Sequence, residues 1–377
     1  MNCKSIEIVS RLWLENFSDF VKIPMTCESV EVGPSLIYYH INLNNILQLN
    51  KIKKLTEYIS AELHVPVRTI KSDRTHFALT IPRKEREFPR FFEYSKFLEG
   101  QKAGTMLFGI DDHGQPLIKN IQKTKSLLIG GASGGGKSVC LSQLILSICL
   151  FSNAAACGLI LIDLKRCEFG MFERSHHLIR PVIFDYKTAL AALIDVKAES
   201  QRRYKLMQEQ KVRKANLKDY PIVIVVIDEF AELMQNATDK KQLEALISSI
   251  AATGRACNIF LIIATQHAVS GVISNTIKSN LQSKIGLRTT NVAQSTCLIG
   301  SKNCVDLLGY GDAFGVFDGV QGLTRFQCCN VTDEELEAVF SKIESKSFKE
   351  NHIADTQKEQ RGFFAKFKAW FKKTKGS

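Results

Sequence analysis

The chain has 377 residues, with 50 Lys and Arg against 38 Asp and Glu, giving a formal net charge of +12. Apolar residues make up 45% and charged residues 23%, which excludes disordered, collagen-like and low-complexity proteins. The length allows two or three domains with cores of their own, and the charge admits nucleic acid or an anionic membrane as partner without choosing between them.

The first residues, MNCKSIEIVSRLWLENF, carry charges throughout and contain no apolar signal core, so no targeting segment is expected. Residues 1–104 mix short alternating segments, such as LIYYHINL at 36–43, with a predicted helix near 50–63, the texture of a small α+β domain. From 105 to 340, strand-like runs alternate with helical patterns. The runs are SLLIG (126–130), GLILID (158–163), IVIVVID (222–228) and IFLIIAT (259–265). Each is short, continuous and rich in Ile, Val and Leu, as strands buried on both faces of a helix-covered parallel sheet are. KIGLRTT (284–290), AFGVF (313–317) and RFQCCNV (325–331) are candidates to extend that sheet. Residues 341–377 are polar and then strongly basic. The longest apolar stretch, 139–151, has 13 residues and includes serines, whereas a membrane-spanning helix needs about 20 apolar residues; it is predicted to be a core helix. Eleven Cys include no CxxC pair and mostly sit in apolar runs, which fits neither a zinc ribbon nor a disulfide scaffold. Reduced, buried thiols in a cytosolic protein are expected.

The run Gly131, Ala132, Ser133, Gly134, Gly135, Gly136, Lys137, Ser138 fits G-x-x-x-x-G-K-[ST] and lies between a predicted strand and a predicted helix that continues through Val139. Glycines let successive backbone N–H groups converge on phosphate oxygens, and a helix N-terminus adds partial positive charge. Lys137 would reach the β/γ-phosphates, and the Ser138 hydroxyl would ligate Mg²⁺. The alternative is a glycine-rich turn that happens to end in Lys-Ser. A second element supports the nucleotide reading: IVIVVID runs directly into Asp228 and Glu229. Asp228 would hold Mg²⁺, and Glu229 would orient or deprotonate the attacking water. By itself an acid at a strand end equally suits the cap of a following helix. The next strand ends in Ala264-Thr265-Gln266, and a polar residue at that end of a parallel strand faces the ligand crevice. Gln266 would then sense the γ-phosphate or place the water, or it only satisfies loop backbone.

LLIGGASGGGKSVCL, LIDLKRCEF (161–169), VIVVIDEFAELM (223–234) and GRACNIFLIIATQ (254–266) together resemble the motor of the FtsK/SpoIIIE DNA translocases. The likeness continues through IKSN (277–280) and LLGYGDAF (307–314). Upstream, Gly33-Pro34-Ser35-Leu36, Ile81-Pro82-Arg83 and LFGIDDHGQPL (107–117) are similar to the family's α domain and its lead-in to the motor. This resemblance, over about residues 30–335, implies a RecA-like P-loop ATPase that binds ATP and Mg²⁺ and works as a homo-hexameric ring around double-stranded DNA. It implies that Arg255, in GRACNI, is an arginine finger supplied in trans, a device worth ~10³–10⁵ in rate. Otherwise Arg255 is a cation near helix-end carbonyls.

Three departures weaken the implied DNA grip. The family's ATQRP is here ATQHA, with His267; its Asp-Ser-Arg-Thr run is here Ala293-Gln294-Ser295-Thr296; and the basic residue before that run is here Asn291. Lys278 in IKSN is retained. Counterparts of the family's membrane-spanning N-terminus and winged-helix reader are not expected in the chain, so orientation by a chromosomal signal is not expected either. Service to a plasmid, phage or conjugative element follows instead.

The segment 361–377, RGFFAKFKAWFKKTKGS, holds six Lys or Arg and no acid. As a helix it would gather Phe363, Phe364, Phe367, Trp370 and Phe371 into an arc of about 120°. Such a face suits an anionic membrane interface, a protein groove or DNA. A cytoplasmic protein is expected, with peripheral attachment at the inner face of the cell membrane as the variant this tail allows. Two rivals to the translocase stay open: a protein-export ATPase like those of type VII secretion, and a membrane-associated, nucleotide-switched scaffold.

Overall fold

The β-branched runs become strands wherever they fall in the described part of the chain, which in this computed structural model comprises residues 25–43, 67–71, 76–83, 85–269 and 271–350, with Thr56 and Ser60. The predicted helix near 50–63 falls largely outside those residues, and the basic aromatic segment 361–377 lies wholly outside them. The chain divides into two compact units, one of residues 1–89 with 110–115 and one of 90–109 with 116–377.

In the first unit, β1 (Met25–Val32), β2 (Leu36–Leu43), β3 (Arg68–Lys71) and β4 (His76–Pro82) form an antiparallel sheet in the order β1-β2-β4-β3. The Gly33-Pro34-Ser35 segment is the turn joining β1 to β2, closed by the Gly33 N–H donating to Leu36 O at 2.8 Å. Arg83 Nη1 donates to Gly33 O at 3.1 Å, so two motifs fifty residues apart in sequence meet in this unit.

The second unit is built on a nine-stranded sheet. Its strands are β5 (Thr105–Asp111), β6 (Pro116–Asn120), β7 (Leu127–Gly130), β8 (Cys157–Ile162), β9 (Ile222–Ile227), β10 (Ile259–Thr265), β11 (Ser283–Leu287), β12 (Asp312–Val316) and β13 (Thr324–Gln327). The order is β6-β5-β13-β12-β11-β7-β10-β9-β8. The block β11-β7-β10-β9-β8 is parallel throughout, while β12 and β13 add antiparallel ladders. The sheet is therefore mixed, a five-stranded parallel block with an extension, within an α/β P-loop architecture. Every residue of β8, β9 and β10 is buried, which is why those segments read as unbroken apolar runs.

Helices α1 (Lys137–Phe151), α2 (Tyr186–Glu209), α3 (Phe230–Gln235), α4 (Lys240–Gly254), α5 (Asn275–Asn280), α6 (Val292–Ile299) and α7 (Asp333–Glu350) accompany the sheet, after two one-turn helices at Phe91–Tyr94 and Ile121–Thr124. Leu193 and Val196 of α2 and Leu246, Ile247 and Ile250 of α4 join Val223, Val225, Ile227, Leu261 and Ile263 of the strands in one core. Fully burying each such side chain contributes about 1.5–3 kcal/mol. Among the described residues no helix is long and apolar enough to cross a membrane, and the stretch 139–151 is the buried helix α1. All ten described cysteines are free, and burial pushes the thiols of Cys149 and Cys329 up to about 12.

One buried cation fastens α2 to the strands. Arg203 Nε donates to Glu199 Oε1 at 2.8 Å, and its Nη1 donates to Pro221 O at 2.7 Å and Cys257 O at 2.8 Å. Arg203→Met should destabilise the protein by about 3 kcal/mol, because the carbonyls lose their donor and Glu199 loses its buried partner. A clear drop in the urea midpoint is expected; an unchanged midpoint would contradict this role.

Candidate nucleotide site

The loop 131–136 runs from the end of β7 into α1, and its backbone is fixed from several directions. The Ala132 N–H donates to Arg288 O at 2.7 Å, and the Gly135 N–H to Ala132 O at 2.9 Å. From the far end of the chain, the N–H groups of Tyr310 and Gly311 donate to the carbonyls of Gly134 (3.1 Å) and Gly135 (2.8 Å). Two glycines are indispensable. Gly134 has φ +74°, and a Cβ at Gly136 (φ +100°) would stand 2.2 Å from the Gly311 nitrogen. Ser133 and Gly134 are exposed at the tip, whereas Lys137 is buried at the start of α1.

Lys137 Nζ forms an ion pair with Asp228 Oδ1 and donates to Asp228 O at 2.8 Å. Asp228 follows the end of β9, so the pair joins two parallel strands with β10 between them. Burial pushes the Asp228 carboxyl up, while the Lys137 ammonium pulls it the other way; the nearby Glu168 and Asp163 carboxyls add to the rise. Ser138 Oγ donates to Glu168 Oε1 at 2.5 Å. Glu168 is itself set by Asp163, whose Oδ2 accepts from the N–H groups of Glu168 (2.8 Å) and Phe169 (3.0 Å). The other oxygen of the buried Asp163 carboxyl, Oδ1, has no hydrogen-bond partner.

Glu229 is gripped from one side by β10. Its Oε1 accepts from Thr265 Oγ1 at 2.6 Å, and its Oε2 accepts from the Gln266 N–H at 3.0 Å. The Lys165 ammonium stands 3.7 Å from the same carboxylate. Glu229 also caps α3, accepting from the Ala231 N–H at 3.3 Å, so the capping role and the crevice position coexist in one residue. Gln266 meets Glu229 through its backbone.

Most ligands of a nucleotide-bound Mg²⁺ come from phosphate and water, so a few hard protein oxygens are enough. Ser138 Oγ and the Asp228 carboxylate, with Glu168 and the unpartnered Asp163 Oδ1 nearby, supply that donor chemistry and fit the ion. Among the described residues no group of three or more His, Cys, Asp or Glu is poised to hold a metal without such help.

Two groups of predicted residues lie elsewhere. Arg255 is exposed in the turn that follows α4, before β10 begins, whereas the loop 131–136 sits level with the far end of β10, where Thr265 pairs with Gly130. Seven strand residues at ~3.3 Å each put Arg255 about 20 Å from the phosphate loop of its own chain. It stands instead near Lys125, two residues before β7 begins, where burial first and the Arg255 charge second lower the pKa of the Lys125 ammonium. His267 is exposed just beyond β10, and Lys278 is half-buried at the end of α5, within 3.8 Å of Cys297 Sγ. The departures noted above have local duties. Asn291 caps α6 by accepting from the Gln294 N–H at 2.9 Å, and Ser295 Oγ, buried, donates to Ser301 O at 2.5 Å.

Glu168, Thr265 and the Gly309–Gly311 turn were not singled out in the sequence as site residues. Glu168 alone left a sequence signal, an acid five residues beyond Asp163 at the end of the second strand; the other contacts span 36 to 176 residues of chain.

The family model for the FtsK/SpoIIIE family matches residues 90–219 and 213–270. The chain is 31% identical to the DNA translocase FtsK of Pseudomonas syringae pv. syringae, over 84% of this chain and 44% of that protein. To the DNA translocase FtsK of Borreliella burgdorferi it is 34% identical, over 82% of this chain and 41% of that protein. It thus spans less than half the length of either relative. Among solved structures, the pCW3 conjugation coupling protein TcpA, in a monomer form with ATPγS, overlays with a TM-score of 0.62 at 20% identity, covering 89% of this chain and 98% of that one. The cytoplasmic domain of the Thermomonospora curvata type VII secretion ATPase EccC overlays with a TM-score of 0.55 at 23% identity, covering 66% of this chain and 32% of that one. At these identities the two structures speak for the fold alone. Sequence, through residues 90–270, carries the assignment: the chain belongs to the FtsK/SpoIIIE family.

Proposed function

We propose that this protein is an ATP-hydrolysing motor that moves double-stranded DNA, working as a homo-hexameric ring in plasmid, phage or conjugative transfer. The observation that carries the ATPase reading is the buried Lys137–Asp228 pair beside a Glu229 carboxylate fixed by Thr265 and Gln266. On this reading Lys137 exchanges Asp228 for the β/γ-phosphates, the N–H groups from Gly131 to Val139 cradle phosphate oxygens, and Ser138 and Asp228 hold Mg²⁺. Mg²⁺ supplies charge neutralisation at the phosphates. Glu229 takes the proton of the attacking water, and the Gln266 side chain, next to it, places that water. Glu168 orients the Ser138 hydroxyl. Arg255, too far from its own loop, serves the site of the neighbouring protomer. Family membership carries the DNA part, and the first unit resembles the family's α domain.

The basic aromatic segment 361–377 we assign to peripheral attachment at the inner face of the membrane or to a partner protein; deleting it and finding liposome co-sedimentation unchanged would remove the membrane role.

The test is the ATPase rate with and without long linear duplex. DNA-stimulated hydrolysis is expected. Hydrolysis indifferent to DNA would favour the export rival, and near-absent turnover the scaffold. Because His267 and Asn291 replace basic positions of the family and Lys278 is half-buried, few phosphate contacts are expected. An anisotropy titration should then give a shallow salt slope, each missing contact removing ~0.9 log unit of affinity per log unit of salt. A slope as steep as that of a binder with eight or more contacts would contradict this.

A further inference from the structure

Two carboxyls beside the phosphate loop have no cation of their own. Lys137 pairs with Asp228 and Lys165 with Glu229, whereas neither Glu168 nor Asp163 has an ion-pair partner among the described residues. Both lie in the segment that follows β8. Asp163 is fully buried, and the N–H groups of Glu168 and Phe169 donate to its Oδ2 at 2.8 and 3.0 Å, which fixes the backbone that carries the Glu168 side chain. Glu168 Oε1 in turn accepts from Ser138 Oγ at 2.5 Å, the length of a charge-assisted bond. Both carboxyls are felt in the site. The Asp228 carboxyl is raised first by burial, against the pull of Lys137, and then further by the charges of Glu168 and Asp163.

The bond to Ser138 settles how that hydroxyl can act. A carboxylate only accepts, so the one proton of Ser138 is committed to Glu168 and only oxygen lone pairs are left to face a ligand. A lone pair repels a bare phosphate oxygen and ligates a divalent cation. The Glu168 charge works in the same direction, opposing a polyanion that arrives without a counter-ion. The unpartnered Oδ1 of Asp163 points the same way, since a buried oxygen without a donor is costly and a water carried by a metal ion would satisfy it. We infer that Glu168 makes this site selective for a nucleoside triphosphate already complexed with a divalent cation and turns away the free anion. The inference rests on the nucleotide-binding reading above and adds to it the residue that couples nucleotide to metal. Glu168 is thus a positioning residue, acting through the Ser138 hydroxyl and through its own charge.

Calorimetric titration of the full chain with the non-hydrolysable β,γ-imido analogue of ATP, in Mg²⁺ and separately in EDTA, tests this. Wild-type protein should bind about tenfold or more tightly with Mg²⁺ than without it. Glu168→Gln keeps an acceptor for Ser138 and removes the charge. It should bind the metal-free analogue about fivefold or more tightly than wild type, while the factor by which Mg²⁺ tightens binding falls about tenfold or more. Glu168→Asp keeps the charge and should leave metal-free affinity within about twofold of wild type. Opposite shifts in the two conditions are what a merely structural role would not produce. Equal weakening in both conditions by both variants would mean that Glu168 only shapes the loop, and unchanged binding by Glu168→Gln would mean that its charge selects nothing. Either result, or a wild-type protein indifferent to Mg²⁺, overturns the inference while leaving the nucleotide site intact. Wild-type protein that binds the analogue in neither condition would overturn the nucleotide reading itself, and this inference with it.

Discussion

Lys137→Met abolishes ATP hydrolysis and gives the protein a stability deficit that grows with pH. The activity loss follows from the proposed role: removing one preorganised cation from the phosphates should lower turnover by about 10²–10³ or more. The stability effect follows from the buried pair. Burial already holds the Asp228 carboxyl above the usual carboxylate value, and the ammonium beside it is what restrains that rise. Without Lys137 the folded-state value rises further. A carboxyl raised in the folded state gives stability that is fully present below its unfolded pKa, near 3.8, and is lost as pH climbs through the raised folded value. The deficit of Lys137→Met relative to wild type should therefore be largest at pH 8, about 3 kcal/mol, and shrink toward pH 5. Thermal melts of both proteins at the two pH values check this, and a deficit of equal size at both would show that Asp228 does not titrate with the loss of its partner.

Arg255→Ala should eliminate hydrolysis while leaving ATP binding at wild-type affinity. The reason is distance: about 20 Å of β10 separates Arg255 from its own phosphate loop, so its guanidinium can touch only a nucleotide held by another protomer. A finger supplied in trans is worth ~10³–10⁵ in rate. Complementation distinguishes this from local misfolding. Glu229→Gln removes the proton acceptor of a site but keeps its Arg255, whereas Arg255→Ala keeps the acceptor. Each variant alone should be inactive, and mixed assemblies should recover part of the wild-type rate, because some Glu229 sites then face an intact Arg255. Mixtures as inactive as their components, or an active Arg255→Ala protein, would remove the finger role.

How much of this was legible before the fold was known depends on the range of each contact. The phosphate loop and the Asp228-Glu229 pair read directly from the sequence, because a strand, a tight loop and a helix N-terminus are consecutive in the chain and each demands its own residue types. The parallel block was equally plain, since strands buried on both faces leave unbroken apolar runs. The antiparallel extension through β12 and β13 was visible only as extra strands, because short apolar runs carry no information about direction. At the site, the partners of Glu229 were half seen. Gln266 was singled out for its side chain, yet its backbone N–H makes the bond and Thr265 supplies the hydroxyl, a pairing fixed by the register of β9 against β10. Glu168 and Tyr310 reach the loop across 30 and 176 residues, distances over which no local pattern survives. The departures at Asn291 and Ser295 looked like missing DNA contacts, and the fold gives both a local duty in capping α6 and bracing the turn after it.

The central claim is that ATP hydrolysis at the Lys137–Asp228–Glu229 site drives movement along duplex DNA. Displacement of a third strand from a triplex by the wild-type protein measures it most directly. With ATP, the strand should be released at a rate that falls to background for Glu229→Gln, although that variant still binds ATP and DNA. Vigorous hydrolysis by the wild-type protein with no release of the third strand would contradict the account.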